Sequence, residues 1–123
     1  MAHQIEIKKN YIYIKMSTTN FEFNNDTNFI TSLRDVQKEN PNIIINCATI
    51  ESISDDDLFR IKKLYQVNAQ MAGHIIISEI SDELGDKLQL IGLNCIHTDD
   101  EAIDYIFMEQ LEQEFLKDFD KED

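Results

Sequence analysis

The side chains with most chemical scope are two acidic triplets, Asp55-Asp56-Asp57 and Asp99-Asp100-Glu101, the cysteines Cys47 and Cys95, and the histidines His74 and His97. Serial carboxylates could hold a divalent cation. An EF-hand loop, however, needs oxygen ligands at alternating positions and a closing Glu, which the Asp55–Asp57 run lacks. Consecutive acids at a helix start are favoured by the helix dipole, and both triplets read as that kind of cap. Cys95 and His97, two residues apart, would share one face of a strand, and Cys47 and His74 would complete a four-ligand set. There is no CxxC and no HxxxH, and the four residues come from three separate strands. Buried thiols and strand-end histidines are the preferred reading, and no metal site is expected. Neither cysteine has a His or Asn placed beside it by a local signature, so cysteine catalysis is rejected. With 3 Gly in the chain there is no Gly-rich phosphate loop, no GxGxxG and no GxSxG. No catalytic residue and no cofactor are expected.

The elements that must position these groups belong to one α/β domain over residues 1–123. Hydrophobic residues make up 42% of the 123 positions, enough for a packed core. The formal net charge of −13 argues against nucleic acid and against an anionic membrane surface, since both need clustered Lys and Arg. No apolar run reaches the roughly 18 residues of a membrane helix, and no cationic start precedes an apolar segment. A cytoplasmic protein without membrane insertion is expected, and two cysteines are too few for a disulfide framework.

Along the chain, Ile5 and Ile7 alternate with polar residues, Lys9-Asn10 makes a turn, and Tyr11 to Met16 forms a second strand. Asp26 or Thr27 caps a first helix that carries Phe29, Ile30, Leu33 and Val36 and ends at Asn40-Pro41. Asn42 to Ala48 (NIIINCA) reads as a buried central strand. Ser54 caps a second helix from about Asp55 to Ala72, stopped by Gly73. His74 to Ser78 is another buried strand, Ser81 caps a short helix closed by Gly92, and Asn94 to His97 is a brief strand. Thr98 caps a long last helix to about Phe119. The order β-β-α-β-α-β-α-β-α implies a mixed sheet with about four helices.

That order, with its motifs, resembles the STAS domain family of anti-sigma-factor antagonists. Asn42 to Asp57 (NIIINCATIESISDDD) is similar to the family's central strand, loop and helix start, and Gly73 leads into an apolar strand as the family's does. Leu88 to Leu93 (LQLIGL) looks like its leucine-rich third helix ending in Gly-Leu, and Thr98 to Ile106 (TDDEAIDYI) like the start of its last helix. The resemblance covers about residues 5–108, leaving 109–123 as an acidic helical extension. It implies a regulatory module that catalyses nothing and binds a protein partner, either a kinase-type anti-sigma factor or another signalling protein. An alternative within the family is a structural subunit of a larger signalling assembly or a transport complex. Switch members carry Asp-Ser-Ser-Gly at the second helix start and are phosphorylated on its second Ser. Here that motif reads Ser54-Asp55-Asp56-Asp57, with Asp56 at the phosphoacceptor position and Asp57 in place of Gly. Asp56 mimics a phosphoserine imperfectly, with less charge and fewer acceptor oxygens.

Three expectations concern surfaces and core. Phe59 falls about 160° from the centre of the apolar arc of its helix, beside Asp55, Asp56 and Lys63. Ser54, Asp55, Asp56, Asp57, Phe59 and Lys63 are therefore the candidate partner-binding residues. In the last helix Ala102, Ile103 and Ile106 face the domain, whereas Met108, Leu111, Phe115 and Phe119 form a second stripe. That stripe is expected to pack against another subunit, giving a homodimer, or to bend back onto the domain. From Thr98 onward 11 acidic residues face 2 basic ones, a surface that could steer a basic partner. Finally, Ile43, Ile45, Cys47, Ile75 and Ile77 are expected on one buried sheet face, with Ile44 and Ile76 on the other.

Overall fold

The computed structural model describes residues 3–20, 42–70 and 73–121, for 3, 67–68 and 117–121 by the backbone alone. The helix expected between Asp26 and Asn40 lies outside the described residues, as do Met71 and Ala72 at the end of the next one. The described strands are β1 (His3–Ile7), β2 (Ile12–Met16), β3 (Ile43–Asn46), β4 (Ile75–Ser78) and β5 (Asn94–Ile96). Three helices accompany them: α1 (Asp55–Gln70), α2 (Asp82–Leu90) and α3 (Asp99–Lys121). Element ends differ from the expected ones by a residue or two, where caps and frayed turns decide.

The sheet runs in the order β1-β2-β3-β4-β5, antiparallel between β1 and β2 and parallel thereafter. The Ile triplets of β3 and β4 lie in register, Ile43 opposite Ile75 and Ile45 opposite Ile77. A continuous apolar strand needs cover on both faces, and this sheet has it. Ile43, Ile45, Cys47, Ile75 and Ile77 pack with Ile61 of α1 and Leu84 and Leu88 of α2. Ile44 and Ile76 point the other way, onto Ala102 and Ile106 of α3. Both faces are thus populated as the alternation of side chains requires.

The helix termini follow their capping residues. Ser81 accepts from the Leu84 amide, and Thr98 Oγ1 accepts from the Glu101 amide at 3.2 Å. Gly92 takes a left-handed φ of 99° where α2 turns into β5, a conformation that costs glycine little. α3 is 23 residues long, about 34 Å of helix against strands of about 10–17 Å. Its first half crosses the sheet: Asp99 sits over the C-terminal ends of β3 and β4, and Gln110 reaches the Asn10 carbonyl at 3.4 Å, beyond their N-terminal ends. From Leu111 to Lys121 α3 continues as one uninterrupted helix, with Met108 and Leu111 of the second stripe exposed.

Candidate functional site

The loop from Cys47 to Ser54 carries the chain from the end of β3 to the start of α1. It is tied down at several points. The Ala48 amide donates to Asn46 Oδ1 at 2.9 Å, and the single Thr49 hydroxyl proton is shared between the carbonyls of Thr18 at 2.8 Å and Met16 at 3.1 Å. The Glu51 amide donates to the Thr19 carbonyl at 2.6 Å, and Ile50 and Ile53 are buried in the core. The N-terminus of α1 is therefore held at the C-terminal edge of the parallel strands, where open α/β sheets place their sites.

Ser54 is the N-cap. Its Oγ accepts from the Asp57 amide at 3.1 Å and donates to Asp57 Oδ2 at 2.9 Å. Asp57 was expected to display its carboxylate beside Asp55 and Asp56, but it is only 6% exposed. The third helical position curls back under the cap, and the remaining oxygen faces Arg60 Nη1 at 3.9 Å. Asp57 therefore completes the helix start from inside, and the displayed acids are Asp55 and Asp56. One turn on, Leu58 and Ile61 turn toward the core while Phe59 stands 59% exposed. Lys63, at i+4, holds its ammonium 4.7 Å from the Phe59 ring centroid, a cation–π arrangement. Asp55, Asp56, Phe59 and Lys63 thus form one exposed patch of mixed chemistry, with Ser54 at its base.

The cysteines and histidines do not converge. The Ile43 amide donates to the His74 carbonyl at the N-terminal ends of the strands, whereas Cys47 follows the C-terminal end of β3. His74 instead meets Tyr105 edge to face, 5.9 Å between centroids, with Glu109 3.7 Å from its Nε2. Cys95 and His97 line a shallow cleft with Asp82 and Asp86. Among the described residues no three His, Cys, Asp or Glu side chains are grouped as metal ligands. Burial raises the Cys47 thiol far above its ordinary range. Burial, then the charge of Asp86, pushes Cys95 up to about 11. Both thiols stay protonated at neutral pH and are poor nucleophiles.

A polar cluster that periodicity did not single out lies on the opposite face, beneath the first turn of α3. Asp99 accepts from Tyr13 Oη at 2.6 Å, from Ser78 Oγ at 2.5 Å and from Asn46 Nδ2 at 3.0 and 3.1 Å. Asn46 and Ser78 are register partners, each closing an Ile triplet, and that polar residue ending each apolar run was the available signal. Burial opposes the charge on Asp99, but the hydrogen bonds from Ser78, Tyr13 and Asn46 outweigh it and hold the carboxyl below its usual range. Burial, then the bond to Asp99, raises the Tyr13 hydroxyl, which remains the donor. The cluster pins α3 to the sheet.

No family model matches the sequence, and no curated protein matches it. Solved structures do. The Thermotoga maritima protein TM1081 superposes with a TM-score of 0.67 at 17% identity, covering 85% of this chain and 93% of that one. The anti-sigma factor antagonist SpoIIAA in its unphosphorylated form gives 0.63 at 18% identity, over 85% of this chain and 97% of that one. A chain from the stressosome, described as a signal integration and transduction hub, gives 0.65 at 9% identity over 87% and 98%. The chain has the STAS fold of anti-sigma factor antagonists, the fold that the sequence resemblance implied.

Proposed function

We propose that this protein is a regulatory interaction module of the anti-sigma-factor-antagonist kind, which works in the cytoplasm by binding a kinase-type anti-sigma factor or a related signalling protein. The patch at the start of α1 is its docking face. The observation that carries the reading is Phe59: a large aromatic side chain, 59% exposed, standing beside the position that the resembling family phosphorylates. An exposed Phe contributes little to the stability of α1 beyond its contact with Lys63, whereas an aromatic anchor beside charged groups is the usual make-up of a binding hot spot. Asp55 and Asp56 would select a basic partner patch, and Lys63 would hold the ring in place. Asp56 supplies a permanent negative charge where switch members carry a reversible one, so the module would be fixed in one state. Fold similarity to SpoIIAA supports the regulatory reading.

The test is affinity capture from native cell extract with the full chain and with Phe59→Ala, alongside thermal melts of both. The expected result is a kinase-type partner recovered by the parent chain, with binding weakened by about 2 kcal/mol or more in the variant and an almost unchanged melting temperature. A variant that unfolds much more easily would make Phe59 a core residue and remove the docking face. The stressosome match supports a second reading, a subunit of a large signalling assembly. Co-migration of the chain with a megadalton particle in native extract would favour that reading over the first.

A further inference from the structure

On α3, Ala102 and Ile106 face the sheet and are fully buried, while Phe107, Met108 and Leu111 are 44%, 67% and 61% exposed. At 100° per residue these three fall within an arc of about 100° on the side of the helix turned away from the sheet. The outer face of a surface helix is ordinarily polar, so packing within the domain gives these residues no reason to be apolar. From Asp99 to Leu116 the helix holds seven acidic residues and no Lys or Arg. Asp104, Glu112 and Glu114, all exposed, border the apolar line.

We propose that the outer face of α3, centred on Phe107, Met108 and Leu111, docks a basic amphipathic helix of a partner protein. Charge selects the occupant. A second copy of this chain laid on the same face would bring two acid-bordered ridges together, each α3 carrying nine acidic residues against only Lys117 and Lys121 near its end, and like charges in apposition are costly. A helix with an apolar ridge bordered by Lys and Arg would bury the same three side chains and neutralise the carboxylates beside them. This face lies across the sheet from α1, so it is separate from the patch around Phe59 and would leave that patch accessible.

The test uses two labelled peptides with the full chain. One is a Leu/Lys helix with leucines on a single face; the other has the same composition with its leucines spread around the helix. Fluorescence anisotropy should show the first binding with a Kd of about 10 µM and the second at least about tenfold more weakly. Met108→Ser combined with Leu111→Ser should weaken the first peptide at least about tenfold with little change in melting temperature, because both positions are exposed. Phe59→Ala should bind it as the parent chain does. Light scattering should give a monomer. Equal binding of the two peptides, an unaffected double variant, or no saturable binding up to about 200 µM would overturn the proposal. A dimer that the double variant dissociates would hand the face to a second copy and overturn it as well.

Discussion

At the residue scale, two serines and two aspartates show how one chemistry serves different ends. Ser54 and Asp57 exchange hydrogen bonds at the start of α1. Ser54→Ala removes an acceptor for a helix amide and should lower stability by about 1 kcal/mol in urea melts, the usual loss for an N-cap. Asp99 gathers Tyr13, Ser78 and Asn46 beneath α3. Asp99→Ala leaves those donors without their acceptor and should cost about 1–3 kcal/mol. The pH dependence has a definite sign. The folded-state pKa of Asp99 is depressed, so its contribution is fully present above the ordinary Asp value of about 3.9 and fades as pH falls through the lower folded value. The stability advantage of the parent chain over Asp99→Asn should therefore be constant near neutrality and shrink below about pH 4. An advantage that grew in acid would contradict the network described.

At the element scale, β3 and β4 dominate because their Ile triplets are buried on both faces at once. Ile45→Ala and Ile75→Ala should each cost about 2–5 kcal/mol, from lost burial and the cavity left behind. Less than about 1 kcal/mol for both in denaturant melts would argue against their central placement. The strands, the capping serines and the turn at Gly92 were readable from the sequence because each depends on local chemistry: an uninterrupted apolar run, a hydroxyl at a helix start, a residue free to take positive φ. The inward turn of Asp57 had a local signal, since three residues after the N-cap Ser54 it holds the capping-box position that meets the cap. Its approach to Arg60 in the next turn had none, because it depends on how the side chains settle in the folded helix.

At the scale of the whole molecule, charge is the main variable. A formal charge of −13 over one small domain repels itself in the folded state more than in the extended chain. Raising salt from about 0.05 to 0.5 M shortens the screening length severalfold and should raise the melting temperature by a few degrees, measured by calorimetry. A fall in melting temperature would mean that attractive pairs outweigh the repulsion. The same charge is uneven, concentrated on α3, and the STAS fold carries it on the face of the sheet opposite α1. Two chemically distinct surfaces are thereby kept apart by the thickness of the domain.

The sequence by itself determined the strands and helices described here, the two-sided core and the exposed position of Phe59, because periodicity and burial are properties of neighbours along the chain. Only the tertiary structure decided that Tyr13, Asn46, Ser78 and Asp99, far apart in sequence, meet beneath one helix turn. It also decided that His74 sits at the opposite end of the strands from Cys47, and that α3 outruns the sheet it covers. Each of these depends on strand register and on where crossover connections return, and no local pattern encodes a distance between segments that meet only in the folded chain.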